Sequence, residues 1–223
     1  SELVNFGGKG KYSDAEFSLI SDRDFRSSPT AIVFFNSNKF GEELFIIEDA
    51  AHAFGSQWYD LKVGTCPWLF TCFSFQAIKH LTTGDGGLLV PPEQYLKQCR
   101  LMRWFGLDRD NKVDFRSCQN IEHAGFKFHM NDINASIGIA NLKSVFTQIK
   151  QCQLNSKYLR ETIKNPRVEQ LECNPHVQSS CWLHTLLVDN AAKFILHMKR
   201  EEIEANPVHV RNDEFNCFKQ FKT

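Results

Sequence analysis

The sequence lacks the features that would place it in a membrane, on nucleic acid or outside the cell. No apolar run approaches the roughly 18–20 residues of a membrane-spanning helix, and residues 1–30 contain no hydrophobic signal-peptide core. The 26 Lys and Arg residues balance 26 Asp and Glu residues, so the formal net charge is zero. A neutral chain is a poor candidate for general binding of nucleic acid or membrane surfaces. We therefore expect a cytoplasmic protein that binds neither.

Patterns of metal ligands and of dinucleotide binding are also absent. The eight cysteines include no C-x-x-C pair, and the eight histidines include no H-E-x-x-H motif. Cysteines spread in this way, without a secretory signal, are typical of reduced thiols that pack as small apolar groups. No G-x-G-x-x-G turn follows a first strand, which disfavours a dinucleotide-dependent oxidoreductase. We expect no resident metal and no disulfide framework.

The apolar residues that are present, 42% of 223, are arranged as alternating strands and helices. Four apolar runs lack polar alternation, which is typical of parallel strands covered on both faces. These runs are 31–35, 44–49, 68–75 and 87–90. Helical spacing follows over 93–107. Strand–helix alternation predicts an α/β protein with a mostly parallel sheet and flanking helices.

The strongest helix pattern begins at Asn131 or Asp132, both good N-cap residues. It continues towards Ile163, where Asn165-Pro166 should stop it. Apolar residues recur along it at helical spacing and predict a buried face. They are Ile133, Ile137, Ala140, Val145 and Ile149.

The remaining segments predict a smaller C-terminal α/β lobe. Residues 181–189 have the pattern of a strand, 191–203 of a helix and 207–210 of a final strand. We place a large domain at 1–160 and the small domain at 161–223.

Two residues with complementary chemistry follow two of the predicted core strands. Asp49 ends the strand 44–49, and Lys79 lies between the strand that ends at Phe75 and a glycine-rich turn. Open α/β sheets bind ligands at the carboxyl edge of their strands. Alone, each residue is most simply a surface lysine or a turn aspartate. Together they offer an amine that can form an imine and a carboxylate that can hold a protonated ring nitrogen, as a pyridoxal phosphate site needs.

Three motifs resemble the DegT/DnrJ/StrS family of sugar aminotransferases. They are IIEDAAHAFGS (46–56), FSFQAIKHLTTGDGG (73–87) and GFKFHMNDINASIG (125–138), in the family's order and at compatible spacing. The resemblance covers roughly 44–165 well. It implies a fold-type-I enzyme that uses pyridoxal 5′-phosphate to transfer an amino group to a nucleotide-linked keto sugar.

The resemblance also implies roles for single residues. Lys79 would form the Schiff base with the cofactor and carry the proton between the substrate α-carbon and cofactor C4′. Asp49 would pair with the pyridine nitrogen, His52 would lie beside the ring and its 3-hydroxyl, and Ser74 would hydrogen-bond the phosphate. Lys127, in a homodimer with shared active sites, would complete the phosphate site of the partner subunit.

The third motif is most similar to enzymes that make viosamine-like or perosamine-like sugars. This implies a nucleotide-linked 4-keto-6-deoxyhexose as substrate and glutamate as amino donor. His209 and Arg211 would approach the sugar nucleotide, although a surface loop explains this segment equally well.

Two hypotheses stay open on the sequence alone. The family carries a Ser-Gly-Thr-type turn before the aspartate, whose amides hold the cofactor phosphate, and this turn is not found here. The chain is therefore either an aminotransferase that is short by family standards, or a truncated, inactive remnant that serves only as a structural or partner-binding module. The set of Asp49, His52, Ser74 and Lys79 favours the enzyme.

Overall fold

A computed structural model describes residues 31–36, 44–112, 115–171, 174–208 and 212–221. Contacts between residues group the chain into two units. The first unit comprises residues 1–153 and 173–182, and the second comprises 154–172 and 183–223. Residues 173–182, which the sequence-based boundary assigns to the small C-terminal domain, thus belong to the first unit.

Strands of the first unit form two sheets. The described strands in chain order are β1 (Ala31–Asn36), β2 (Leu44–Asp49), β3 (Gln57–Trp58), β4 (Leu61–Lys62), β5 (Phe70–Ser74), β6 (Gly87–Val90) and β8 (Val177–Gln178). One sheet has the order β1-β2-β5-β6, and the other has the order β4-β3-β8. All four apolar runs of the first 90 residues therefore form strands of one sheet, as predicted.

The larger sheet is mixed, and the prediction of a mostly parallel sheet is wrong for its described strands. β2 and β5 are parallel, whereas β1 pairs with β2 and β5 pairs with β6 in antiparallel fashion. Only residues 37–43 connect β1 to β2, and a parallel crossover needs a dozen residues or more. The short connection therefore forces a hairpin. The β2–β5 connection, which spans residues 50–69, is long enough for a parallel return.

A small apolar core lies under the loop that follows β2. Its buried members are Ala50, Ala53, Phe73, Phe75, Leu81, Val145 and Ile149. Phe54 packs edge-on against the rings of Phe73 and Phe75, at centroid distances of 5.7 and 5.9 Å. Edge-to-face aromatic pairs of this kind stabilise by about 0.5–1.5 kcal/mol beyond the area they bury. The core thus fixes the loop and β5 to each other.

The α-helices of the described residues lie within the segments that the sequence predicts as helical. They are α1 (Leu96–Met102), α2 (Asp132–Leu142), α3 (Val145–Thr162) and α4 (Ala191–Arg200). Asn131 caps α2, because its side-chain oxygen accepts from the backbone N–H of Asn134. The helix predicted to run from 131 to 163 is interrupted at Lys143 and Ser144, so it forms two helices.

The predicted buried face of the long helix is correct for two of its five residues. Val145 and Ile149 on α3 are buried, but Ile133 and Ile137 on α2 are 76% and 41% exposed in the single chain, and Ala140 is exposed too. A neighbouring stripe of α2, about a quarter turn around the helix, packs inward instead, because its amide side chains bond the carbonyl groups of the turn after Lys79. Hydrophobic periodicity alone does not detect such a polar contact surface.

The described residues of the second unit include a short sheet, the C-terminal part of α3 and helix α4. β7 (Val168–Gln170) pairs antiparallel with β9 (Leu186–Val188), and α4 follows. The strand predicted over 181–189 is thus confined to its last third, and the helix predicted over 191–203 ends at Arg200. Residues 207 and 208 form no strand, and the rest of the predicted 207–210 strand lies outside the described residues.

Candidate active site

The parallel pairing of β2 and β5 brings the predicted site residues to one edge of the sheet. Asp49, the last residue of β2, lies opposite Cys72 of β5, and the backbone N–H of Ala50 donates to the Cys72 carbonyl at 2.8 Å. Ser74 ends β5 two residues further on. Because the two strands run in the same direction, their carboxyl ends meet at this edge.

Lys79 lies in a loop after β5, which we call the lysine loop, and backbone hydrogen bonds of Phe75 close this loop. The Phe75 N–H donates to the Gly86 carbonyl at 2.8 Å, and the Phe75 carbonyl accepts from the Thr83 N–H at 2.9 Å. Within the loop, the Lys79 N–H donates to the Gln76 carbonyl at 2.9 Å. Gly86 has a φ of 120°, a conformation that only glycine adopts readily. The loop therefore holds Lys79 directly after the core strand.

The amine of Lys79 and the carboxylate of Asp49 interact electrostatically. Partial burial lowers the pKa of Lys79, and the negative charge of Asp49 opposes this effect. Burial also raises the pKa of the Cys72 thiol, and the charge of Asp49 adds to that increase. A lysine with a lowered pKa has more of the free amine that attacks a carbonyl group. The structure thus brings together the two groups on which the sequence-based prediction rests.

Hydrogen bonds orient the remaining predicted residues at this edge. Asp49 Oδ1 accepts from the Ala51 N–H at 3.0 Å, which turns the carboxylate toward the loop after β2. Ser74 Oγ accepts from the Gln76 N–H at 3.4 Å, so its own proton can be donated elsewhere. The ring of His52 lies 4.1 Å from the Trp182 ring, centroid to centroid.

The donor and acceptor set at this edge fits pyridoxal phosphate. A carboxylate suits the protonated pyridine nitrogen, a partly desolvated amine suits the aldehyde, and a hydroxyl suits the phosphate. Asp49 and Ser74 supply the carboxylate and the hydroxyl from the ends of the adjacent parallel strands β2 and β5, and Lys79 supplies the amine from the loop that follows β5.

Side chains of helix α2 bond the backbone of the loop that contains Lys79, a contact that the sequence did not predict. Asn134 Nδ2 donates to the carbonyl oxygens of Thr83 and Asp85, each at 3.0 Å, and Asn141 Nδ2 donates to the Thr82 carbonyl at 2.9 Å. Gly138 lies between the two asparagines, and a Cβ there would approach Thr83 Cγ2 to 2.7 Å. The i, i+4, i+7 spacing of these three residues is the signal that could have identified them.

Residues 179–182 also contact the loops that carry the candidate site residues, and no sequence pattern predicted these contacts. Ser56 and Ser180 are both fully buried, and the Ser180 N–H donates to Ser56 Oγ at 2.9 Å. Trp182 Nε1 donates to the Ile78 carbonyl at 2.9 Å. These contacts join segments more than 100 residues apart, so local spacing in the sequence could not have revealed them.

The other predicted site residues do not join this group. Lys127 is exposed and pairs through its backbone with Trp104, while its neighbours Phe126 and Phe128 donate to the carbonyl groups of Met102 and Arg103. The structure therefore places Lys127 beside the end of α1. His209 and Arg211 lie outside the described residues.

The described residues form neither a metal centre nor a membrane-spanning helix. They contain no group of three or more His, Cys, Asp or Glu side chains that could hold a metal ion. None of their helices is both long and apolar enough to cross a membrane.

Known proteins that resemble this chain include sugar aminotransferases. The chain is 28% identical over 145 residues to a Campylobacter jejuni UDP-4-amino-4,6-dideoxy-N-acetyl-beta-L-altrosamine transaminase, a match that covers 64% of this chain and 37% of the relative. The crystal structure of AtS13 from Actinomadura melliaura matches with a TM-score of 0.77 and 32% identity, over 95% of this chain and 54% of that one. The sugar aminotransferase CalS13 from Micromonospora echinospora matches with a TM-score of 0.76 and 28% identity, over 84% and 51%.

The matching structures confirm the α/β, fold-type-I architecture. The chain spans about half the length of these two structures and just over a third of the Campylobacter relative. The model of one protein family matches residues 40–221, which include all three motifs. The chain therefore belongs to the DegT/DnrJ/EryC1/StrS aminotransferase family, whose cofactor is pyridoxal 5′-phosphate.

Proposed function

We propose that this chain binds pyridoxal 5′-phosphate through Lys79 and transfers an amino group from glutamate to a nucleotide-linked keto sugar. The observation that carries the proposal is the juxtaposition of Asp49 and Lys79 at one sheet edge, with the pKa of Lys79 lowered by burial. A partly buried amine beside a carboxylate at the carboxyl edge of parallel strands is typical of functional sites.

Each residue has a task that its contacts support. The Asp49 carboxylate would hold the proton on the pyridine nitrogen, and His52 would lie beside the ring and its 3-hydroxyl. Ser74, whose oxygen already accepts from the Gln76 N–H, would donate its hydroxyl proton to the phosphate. The bound cofactor supplies an electron sink for the reacting carbon. Lys79 Nζ, as the base of the site, would take the proton from the substrate carbon and return it at cofactor C4′.

The substrate that we propose is a nucleotide-linked 4-keto-6-deoxyhexose, aminated at C4. The third motif has the form found in enzymes for viosamine-like and perosamine-like sugars. The name of the Campylobacter relative also describes a transaminase of a 4-amino-4,6-dideoxy sugar nucleotide. We propose that His209 and Arg211 approach the nucleotide sugar. The described cysteines are free thiols, as in a reducing compartment, and we place the reaction in the cytoplasm.

We further propose a homodimer in which Lys127 reaches the cofactor phosphate of the partner subunit. Lys127 lies beside α1 and not among the residues around Lys79. Its neighbours Phe126 and Phe128 are 55% and 76% exposed, and Ile133 on the adjoining helix is 76% exposed. Exposed apolar groups of this size are typical of a surface that another chain covers.

The direct test traps the cofactor on its lysine. The purified chain is incubated with pyridoxal phosphate, reduced with borohydride, digested and mapped by mass spectrometry. We expect a visible absorbance band before reduction and a phosphopyridoxyl group on Lys79 afterwards. Lys79→Ala should abolish both signals and any transfer of ¹⁵N from labelled glutamate to the sugar.

The matched control is Lys62→Ala, which removes an exposed lysine of β4 and should leave the band and the adduct unchanged. A folded wild-type chain that gives no adduct on Lys79 would sink the proposal. That result would favour the alternative, a remnant that retains the motif as a structural or partner-binding module. An adduct without transfer would restrict the proposal to cofactor binding.

A further inference from the structure

The backbone N–H and carbonyl groups of Ser180 bond residues of the first motif (46–56) and the second motif (73–87). Its N–H donates to Ser56 Oγ at 2.9 Å, and its carbonyl oxygen lies 3.0 Å from His80 Nε2. Because a carbonyl can only accept, His80 Nε2 carries the proton in this bond. Ser56 ends the first motif and His80 follows Lys79 in the second. The segment 179–182 is therefore attached to both sides of the candidate site.

Trp182 directly contacts two of the candidate site residues, His52 and Lys79. Cys181 has a φ of 53°, a left-handed conformation that turns the chain directly before the tryptophan. The indole N–H donates to the Ile78 carbonyl at 2.9 Å, and the ring packs against the His52 ring at an interplanar angle of 32°. Lys79 Nζ lies 3.8 Å from the centroid of the indole ring. One side chain thus contacts both motifs.

We propose that Trp182 is a positioning residue for Lys79, whose ammonium it holds over the indole face while its ring nitrogen fixes the backbone just before the lysine. The proposal rests on the proposed function, in which Lys79 is the reacting amine. It assigns a role within the site to a residue that lies more than 100 positions away in the sequence and belongs to none of the three motifs.

The geometry meets the requirements of a cation–π contact. A lysine ammonium within about 6 Å of an indole centroid is attracted by the negative face of the ring, and tryptophan is the strongest of the aromatic partners. The contact stabilises the ammonium and not the free amine, so it acts on the pKa of Lys79 in the same direction as the charge of Asp49. Burial acts in the opposite direction. His52, packed on the same indole, and His80, next in the chain, are the other titratable groups here.

The test measures the pKa of Lys79 in Trp182→Leu, which replaces the indole with an apolar side chain that has no π face. Trace labelling with acetic anhydride over a range of pH, read at the Lys79 peptide by mass spectrometry, follows the fraction of free amine. We expect the midpoint of the labelling curve to fall by about half a unit to one and a half units, the range that a cation–π contact corresponds to. Trp68→Leu, two residues before the start of β5, should leave the midpoint unchanged.

A second variant separates the ring from its hydrogen bond. Trp182→Phe keeps a π face but cannot donate to the Ile78 carbonyl, so its midpoint should lie between those of the wild type and Trp182→Leu. If Trp182→Leu fails to fold, a downward shift in Trp182→Phe still supports the role. A midpoint in either folded variant that equals or exceeds the wild-type value would overturn it.

The labelling experiment uses the chain without cofactor, so its outcome is independent of the proposed function. A chain that never forms the adduct on Lys79 can still show the predicted shift. Conversely, an adduct on Lys79 of the wild type, together with an unshifted midpoint in Trp182→Leu, would leave the function standing and remove the role of Trp182.

Discussion

The hydroxyl of Ser56 shows how much one small polar group can contribute to the site. It accepts from the Ser180 N–H and donates to Ser180 Oγ at 3.1 Å, and both residues are fully buried. Ser180 Oγ in turn donates to the His52 carbonyl at 3.4 Å. A buried donor that loses its partner is costly, because water cannot replace the lost bond. The pair therefore stabilises the loop after β2 against residues 179–182.

We predict that Ser56→Ala lowers the free energy of unfolding by about 1–3 kcal/mol, since it leaves the Ser180 N–H without this acceptor. Urea unfolding monitored by circular dichroism measures the change. The control is Ser136→Ala on the exposed surface of α2, where the serine bonds only within its own helix. Equal stability losses in the two variants would contradict the importance of the Ser56–Ser180 pair.

The element that decides the shape of the lysine loop is α2. Its stripe of Asn134, Gly138 and Asn141 fits against residues 82–85, and the glycine allows the close approach. Alanine normally stabilises a helix interior by about 1 kcal/mol relative to glycine. At Gly138, however, the added Cβ would lie 2.7 Å from Thr83 Cγ2, closer than real contacts allow.

We therefore predict that Gly138→Ala destabilises the chain by about 1–3 kcal/mol despite its higher helix propensity. Thr83→Ser removes the obstructing methyl group but keeps the hydroxyl that bonds the Asp85 carbonyl. In that background, Gly138→Ala should be neutral or stabilising. Thermal or urea unfolding of the four proteins in this double-mutant cycle measures the coupling. Additive effects would show that Thr83 is not the obstacle.

Helix α2 also shows which features the sequence predicts and which it does not. Its N-cap was predicted as Asn131 or Asp132, and the structure shows Asn131, because capping depends on residues only three apart. Its inward face was predicted incorrectly at Ile133 and Ile137, because apolar spacing does not register a neighbour made of carbonyl groups. The proximity of Asp49 and Lys79 followed from the rule that parallel strands share a carboxyl edge. No such rule connects Trp182 to Lys79, since the contact depends on how two distant loops fold.

For the whole molecule, the question is whether one chain can complete a site. Asp49, Ser74 and Lys79 gather at the sheet edge, but Lys127 is attached to residues 102–104 by backbone pairing. In the proposed homodimer, each cofactor phosphate meets the partner subunit's Lys127. A charge-assisted bond to a phosphate contributes about 1.5–3 kcal/mol, which corresponds to about ten- to a hundredfold in affinity.

We predict that Lys127→Ala needs about ten- to a hundredfold more pyridoxal phosphate than the wild type to form the adduct on Lys79.

Lys79→Ala forms no adduct at position 79 at any cofactor concentration. When the two variants are unfolded together and refolded as an equal mixture, about half of the Lys127→Ala chains should pair with a Lys79→Ala chain. In each such pair, Lys79 of one chain meets Lys127 of the other, so one of the two sites is intact. About half of the Lys79 side chains in the mixture should therefore regain wild-type affinity for the cofactor. The readout is the phosphopyridoxyl-Lys79 peptide at limiting cofactor concentration, and Lys150→Ala on α3 replaces Lys127→Ala in the control mixture. A mixture that behaves as the simple sum of its two components would mean that each chain builds its site from its own residues alone.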